Sequence, residues 1–260
     1  VLSRKASKKS FSRRPFAVVT RAGSGTGYEL ARQFAVQGYD LLIVDEEKGI
    51  DRAKQQLEKL GSEVESYKLD LASTKNVELL HRKIMASGRP VDALAVNAAV
   101  GIGEDLPQDI SLETEIHLIQ VNLAATVHLS RLLVRQMVER KKGKILFTSS
   151  LMPSNSRRFE SIYTASKVFL HSFAGSLREE LEGSGVTVSS LLPDASETSL
   201  FQRTGVAAHQ GYDALLSGKD LIIARSLVGM ILGTILNFVP RKAASVFQRL
   251  QLNGSSVFSH

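Results

Sequence analysis

Short apolar runs separated by stretches of amphipathic spacing set the plan of this chain. Runs at 16–20, 40–44, 63–68, 93–96, 144–148 and 187–192, with a weaker one at 220–224, have the length of β-strands. Between them, apolar residues recur at three- and four-residue steps, as in Leu30, Ala31, Phe34 and Ala35, which predicts helices. The longest helices are expected near 112–140 and 163–182. Strands that alternate with helices predict an α/β fold, a doubly wound parallel sheet covered on both faces. No repeat at a period of about 20–50 residues is visible, so solenoids and propellers are set aside. At 260 residues a single domain is expected, because sheets of this kind grow to that size without splitting.

Two places in this pattern carry chemistry. The first is Phe-Ala-Val-Val-Thr-Arg-Ala-Gly-Ser-Gly-Thr-Gly at residues 16–27, where an apolar run meets glycines and then a helical pattern. A glycine cluster alone is ordinarily a plain turn. Here strand and helix flank it, and Gly23, Gly25 and Gly27 would let the backbone approach a pyrophosphate at the helix N-terminus. The second place is Ser-Ile-Tyr-Thr-Ala-Ser-Lys, in which Tyr163 and Lys167 stand four residues apart. On a helix that spacing shares a face, so the ammonium favours the ionised phenol and tunes it for proton transfer. Ser150 ends an apolar run thirteen positions upstream of Tyr163.

With these motifs in this order, the chain resembles the short-chain dehydrogenase/reductase family from about Phe16 to Thr198. The resemblance rests also on Asp70-Leu71 after the third strand, Asn97-Ala98-Ala99 after the fourth, Asn122 in Val-Asn-Leu, and Pro193 with Thr198 after the sixth. It implies a Rossmann-type sheet and a nicotinamide cofactor. Thr20, Arg21, Gly23, Ser24, Gly25, Thr26 and Gly27 would then form the phosphate-side turn. The resemblance implies that Asp70 and Leu71 border the adenine, that Asn97 and Ala98 also bind the cofactor, and that Pro193 and Thr198 do so near the nicotinamide. In the implied mechanism Tyr163 is the general acid/base, Lys167 lowers its pKa and holds the ribose, and Ser150 bonds the substrate oxygen. Asn122 would kink its helix and anchor a water beside the lysine.

Cofactor choice is expected where the second strand ends, in Leu-Leu-Ile-Val-Asp-Glu-Glu. Asp45 there would accept bonds from the adenosine ribose and repel an added phosphate, which favours NAD(H) over NADP(H). Two residues depart from the family pattern. Arg21 and Asp194 each stand where the family has glycine. Arg21 would pair with Asp45 and keep NAD(H), bind a 2′-phosphate and favour NADP(H), or distort the turn.

Charge and composition narrow the partners. Of the net charge of +7, six positive charges are Arg4, Lys5, Lys8, Lys9, Arg13 and Arg14. The basic, serine-rich segment 1–14 is expected to be a disordered arm, with residues 15–260 as the catalytic domain and about 195–260 as a helical substrate lid. A near-neutral remainder argues against a specific nucleic-acid partner. No cysteine is present, which excludes disulfides and thiolate metal sites, and the six histidines show no ligand spacing, so no metal is expected. Leu227–Val239 is uncharged for thirteen residues, short of the roughly twenty that a membrane span needs. The expected product is a cytoplasmic homodimer or homotetramer that transfers hydride to or from a lipophilic ketone or secondary alcohol. The competing expectation is a binding or regulatory protein on the same fold, with Arg21 and Asp194 impairing the cofactor cleft.

Overall fold

The computed structural model describes residues 14–97, 111–149, 161–193, 200–218 and 221–224. The first two apolar runs become β1 (Phe16–Thr20) and β2 (Asp40–Asp45), in which every residue is buried. Strands enclosed by helices on both faces need this continuous apolar character. At the sheet edge, β3 (Val64–Lys68) buries only Val64 fully and leaves Glu65 and Lys68 exposed. Then follow β4 (Ala93–Val96), β5 (Gly143–Thr148), β6 (Val186–Pro193) and β7 (Leu221–Ala224). All neighbouring pairs are parallel, in the order β3-β2-β1-β4-β5-β6-β7. Each strand lies within one residue of its expected bounds.

Strand alternation divides the core into two layers. Phe16, Val18, Leu42 and Val44 face one side, against α3 (Thr74–Ala86), α5 (Thr126–Glu139) and α6 (Ser161–Glu180). Ala17, Val19, Leu41 and Ile43 face the other, against α1 (Gly25–Val36), α2 (Gly49–Glu58) and α7 (Leu200–Ser217). Phe34 of α1 is wholly buried there, edge-on to Tyr39 at 5.1 Å and to Tyr212 of α7 at 5.2 Å. A side chain so enclosed contributes about 1.5–3 kcal/mol relative to exposure. The sheet is thus sandwiched, as the apolar runs predict.

The expected helix over 112–140 is a correction. Two α-helices, α4 (Leu112–Ile119) and α5, are joined by a π-helical segment at Gln120–Ala125. The wider turn buries Val121, Asn122 and Ala125, so the apolar rhythm runs on and conceals it. The helix at 163–182 begins and ends two residues earlier, as α6, before a turn in which Gly183 takes φ 73°.

Strand order reverses between β1 and β4, which are neighbours although β2 and β3 intervene in sequence. That reversal is the switch point of the sheet, and in such sheets ligands bind in a crevice at the carboxyl ends of the strands. Among the described residues no helix is long and apolar enough to cross a membrane. The basic arm up to Arg13, Ala98, Ser150, Asp194, Thr198 and Leu227–Val239 lie outside the described residues.

Candidate active site

β1 delivers the chain into the glycine turn through Arg21, whose φ of 49° is left-handed. A side chain there costs on the order of 1–2 kcal/mol, which the surroundings must hold in place. They do so from three directions. Ala22 donates to Val44 O at 3.3 Å, Gly23 N donates to Asp45 Oδ2 at 2.8 Å, and Asn97 Nδ2 reaches Arg21 O at 3.4 Å. Gly27, in the first turn of α1, packs against this bend so closely that a Cβ would lie 1.9 Å from Arg21 O and 2.6 Å from Asn97 Nδ2. Only glycine permits that approach. The side chain of Ser24 makes no capping bond, so the open N–H groups of the helix start suit an anionic group.

The Arg21 side chain does not pair with Asp45, which corrects one expectation. Its guanidinium lies 3.6 Å from Glu46 Oε1 and 3.5 Å from Glu47 Oε1. Asp45 is occupied by backbone: Oδ2 accepts from Gly23 N, and Oδ1 accepts from Glu47 N at 3.2 Å. The strand end turns this carboxylate inward and the two glutamates outward. Val44, Leu69, Leu71 and Val121 give the adjoining cleft apolar walls, with Arg21, Asp45, Glu46 and Asp70 at its polar rim. Asp70 is fixed by its own loop, Oδ1 accepting from Ala72 N at 2.8 Å and its carbonyl from Asn76 Nδ2 at 2.8 Å. His117 of α4 faces the same rim with Nε2 3.9 Å from Glu46 Oε2.

Asn97 stitches the switch point together. Its N–H donates to Thr20 Oγ1 at 3.0 Å, and its Oδ1 accepts from Thr148 Oγ1 at 2.7 Å, linking the ends of β1, β4 and β5. All three side chains are buried, so each polar group is satisfied inside the protein.

On the far side of the cleft, the π-helical segment presents Asn122, which is fully buried. Its Nδ2 donates to Ser166 Oγ at 3.1 Å, and Ser166 Oγ donates to the Tyr163 carbonyl at 2.7 Å. The irregular helix is thereby tied to α6 at the turn that carries Tyr163 and Lys167. As their spacing predicts, these two share a face: Lys167 Nζ lies 5.4 Å from the Tyr163 ring centroid. Burial, with Arg21 as a second cation, pushes the Lys167 pKa down to about 7. Behind β5 and β6, Ser149 and Ser190 are bonded through their hydroxyls at 3.0 Å, and His171 Nδ1 lies 3.4 Å from Ser190 Oγ.

Of the residues singled out in the sequence, the fold gathers Thr20, Arg21, Gly23, Ser24, Gly25, Thr26, Gly27, Asp45, Asp70, Leu71 and Asn97 on one side of the cleft. Asn122, Tyr163 and Lys167 meet on the other, and Pro193 ends β6. Glu46, Glu47, Thr148 and Ser166 are further parts of this framework that the sequence did not single out. Glu46 and Glu47 stood in the quoted strand-end motif and Ser166 in the quoted Tyr-Thr-Ala-Ser-Lys, but nothing in the sequence marked their roles, and Thr148 carries no signal beyond ending an apolar run.

A site of this layout on a parallel, doubly wound sheet defines a nicotinamide-dependent oxidoreductase, and the comparisons agree. The chain belongs to the short chain dehydrogenase family, whose model matches residues 15–207. It is 26% identical over 190 residues to the uncharacterized oxidoreductase YmfI of Bacillus subtilis, covering 72% of this chain and 77% of that protein. It is 27% identical over 176 residues to the NADP-dependent 3-hydroxy acid dehydrogenase YdfG of Salmonella typhi, covering 68% and 70% of the two chains. A crystal structure of a metagenomic short-chain oxidoreductase in complex with NADP superimposes with a TM-score of 0.70 at 27% identity, over 80% of this chain and 95% of that one.

Proposed function

We propose that this oxidoreductase interconverts a lipophilic ketone and its secondary alcohol, with Tyr163 as general acid/base. The observation that carries the proposal is the joined set Asn122, Ser166, Tyr163 and Lys167, with Lys167 near enough to Arg21 of the glycine turn to feel its charge. The residues present fit a nicotinamide dinucleotide: Gly25 leaves the turn bare, with nothing within 4 Å of where its Cβ would stand, the start of α1 is uncapped, and Arg21 Nη1 is buried without a hydrogen-bond partner. When bound, that cofactor supplies or takes up the hydride.

In the reducing direction Tyr163 gives its phenolic proton to the substrate oxygen as negative charge develops there. In oxidation it takes that proton back. Lys167, held against the ring, lowers the free energy of the phenolate and so eases the transfer in both directions. Asn122 fixes the α6 turn through Ser166 and keeps Tyr163 and Lys167 in register. Ser150 is proposed to bond the same substrate oxygen, and Pro193 and Thr198 are proposed as the nicotinamide-side residues. A lipophilic substrate is proposed because the uncharged Leu227–Val239 follows in the segment expected to form the lid.

We favour NAD(H), because the rim beside Arg21 is acidic; the relatives named for NADP make NADP(H) the competing choice. Titration of the purified protein with each reduced cofactor, read by nicotinamide fluorescence, tests both levels of the proposal. NADH is expected to bind the more tightly, in the micromolar range to about 1 mM. Absence of binding by both cofactors overturns the catalytic assignment and leaves the fold as a binding module.

We also propose a homo-oligomer, either a dimer or a tetramer. Val168 and Phe169 lie on α6 at 51% and 37% exposure, and Phe169 stacks at 5.9 Å on Phe173 to form an apolar face. A second copy of the chain would cover it. Light scattering at micromolar concentration is expected to give a multiple of the chain mass, and a monomer mass refutes the assignment.

A further inference from the structure

We infer that the end of the sheet opposite the cleft, together with the basic arm rooted in it, is a docking face for an anionic lipid surface. The inference stands apart from the cofactor assignment. Arg14, where the arm meets the fold, is fastened at the amino ends of the strands. Its Nε donates to Gly38 O at 3.0 Å and its Nη1 to Gly61 O, while its carbonyl accepts from Arg89 Nη2 at 3.0 Å. Arg4, Lys5, Lys8, Lys9 and Arg13 precede this root within ten residues, a length of chain that reaches at most about 35 Å. Their charge is thereby delivered to one end of the sheet.

The folded surface at that end has the same sign. Asp40 and Asp92, at the starts of β2 and β4, are turned inward, with side chains 6% and 15% exposed. Asp40 is held by Arg89 Nη2 at 2.8 Å, and Asp92 by the Phe16 N–H at 3.1 Å and Lys142 Nζ at 3.3 Å. Facing outward are Lys59 after α2 and Lys141 and Lys142 after α5, the Lys142 side chain being 74% exposed. Glu58 and Glu139, in the helix ends behind them, are paired with Lys54 and Arg135 at 3.8 and 3.5 Å, and Glu63 faces Arg89 at 3.8 Å. Glu179 and Glu182 border the patch on the β6 side. Apolar side chains are set among the cations, since Leu60 beside Lys59 and Val138 beside the α5 turn are both exposed. Lysine stems interleaved with apolar groups suit the boundary between lipid headgroups and acyl chains. A nucleic acid offers nothing to Leu60 or Val138, and among the described residues of this end no aromatic ring is exposed on which bases could stack. The cleft lies at the other ends of these strands, about 17–20 Å away, so docking leaves it open.

Co-sedimentation of the full chain with phosphatidylcholine vesicles, with and without phosphatidylglycerol, tests the inference. Binding is expected to the anionic vesicles at about 0.1 M salt, and is expected to vanish at about 1 M salt or on phosphatidylcholine alone. Each cation near such a surface multiplies affinity about fivefold, so Lys141→Gln/Lys142→Gln should lower the partition coefficient at least about tenfold. Lys5→Gln/Lys8→Gln/Lys9→Gln should lower it further. Lys48→Gln/Lys75→Gln removes equal charge at the starts of α2 and α3, on the cleft side. It should cost less than about threefold, because those charges stand more than a Debye length from the bilayer. Lys59→Gln alone, expected to cost about fivefold, serves if the Lys141/Lys142 variant folds poorly. Absence of binding to the anionic vesicles, or equal losses in the two lysine pairs, overturns the docking face. So does retention on duplex DNA at a salt concentration that releases the protein from vesicles, which would make the arm a nucleic-acid contact. None of these results bears on the NADH titration, whose failure would remove the cofactor assignment and leave the docking face standing.

Discussion

Replacing Tyr163 by Phe is expected to lower kcat by about 10³-fold while NADH binding and the melting temperature stay near those of the wild type. The substitution deletes one oxygen. The ring remains to pack 5.4 Å from Lys167 Nζ, and the backbone carbonyl still accepts from Ser166. Tyr163 is partly exposed at the cleft, so no sealed cavity forms and no core contact is lost. What disappears is the proton that must reach the substrate oxygen as hydride adds to carbon. Water can replace it only slowly, because it is neither positioned nor tuned by the buried lysine. Steady-state turnover of an apolar ketone, paired with a fluorescence titration of NADH, separates chemistry from binding. Unchanged kcat would remove Tyr163 from the mechanism, and a loss of both turnover and NADH binding would show a disturbed site in place of a missing proton donor.

The parts of this protein legible in its sequence are those governed by short-range rules. Continuous burial of Phe16–Thr20 and Asp40–Asp45 follows from apolar runs too long and too even for a one-sided strand, so their parallel placement could be anticipated. The need for Gly27 could likewise be anticipated, since strand, turn and helix converge there. The π-helical segment could not. Its residues Gln-Val-Asn-Leu-Ala-Ala keep apolar side chains inward, and one additional residue in a turn changes hydrogen bonding more than it changes hydrophobic spacing.

Side-chain partnerships were the least legible. Arg21 and Asp45 attract each other in any sequence argument, but the strand end points Asp45 at the backbone of the turn and offers Glu46 and Glu47 to the arginine. β2 ends at Asp45, and the turn after it, closed by Glu47 N donating to Asp45 Oδ1, is what brings both glutamates to the arginine. Ser166 is similar. It lies inside Tyr-Thr-Ala-Ser-Lys as an ordinary small residue, and only the close approach of the π-helical segment makes it the link between Asn122 and α6.

Lys167→Met is expected to abolish turnover and yet stabilise the cofactor-free protein at neutral pH. Lys167 is 4% exposed, and burial, reinforced by Arg21, brings its pKa from 10.5 to about 7. The cost is fully present below pH 7, where folded and unfolded chains both carry the proton. Between pH 7 and 10.5 the unfolded chain holds a proton that the folded one has released, so wild-type stability rises with pH until the cost vanishes near 10.5. Methionine matches the length of the stem without a charge to desolvate. The relief is on the order of 3 kcal/mol, reduced by whatever hydrogen bonds the ammonium makes, which corresponds to a rise in Tm of about 5 °C at pH 7. By pH 10 the gain should nearly close. Thermal unfolding at both pH values, with NADH oxidation measured alongside, checks the sign. A lower Tm at pH 7 would mean that the ammonium's contacts outweigh its burial and that the lysine is a structural cation. A higher one would mark Lys167 as a charge kept in the core for its effect on the phenol, at the expense of the fold that holds it.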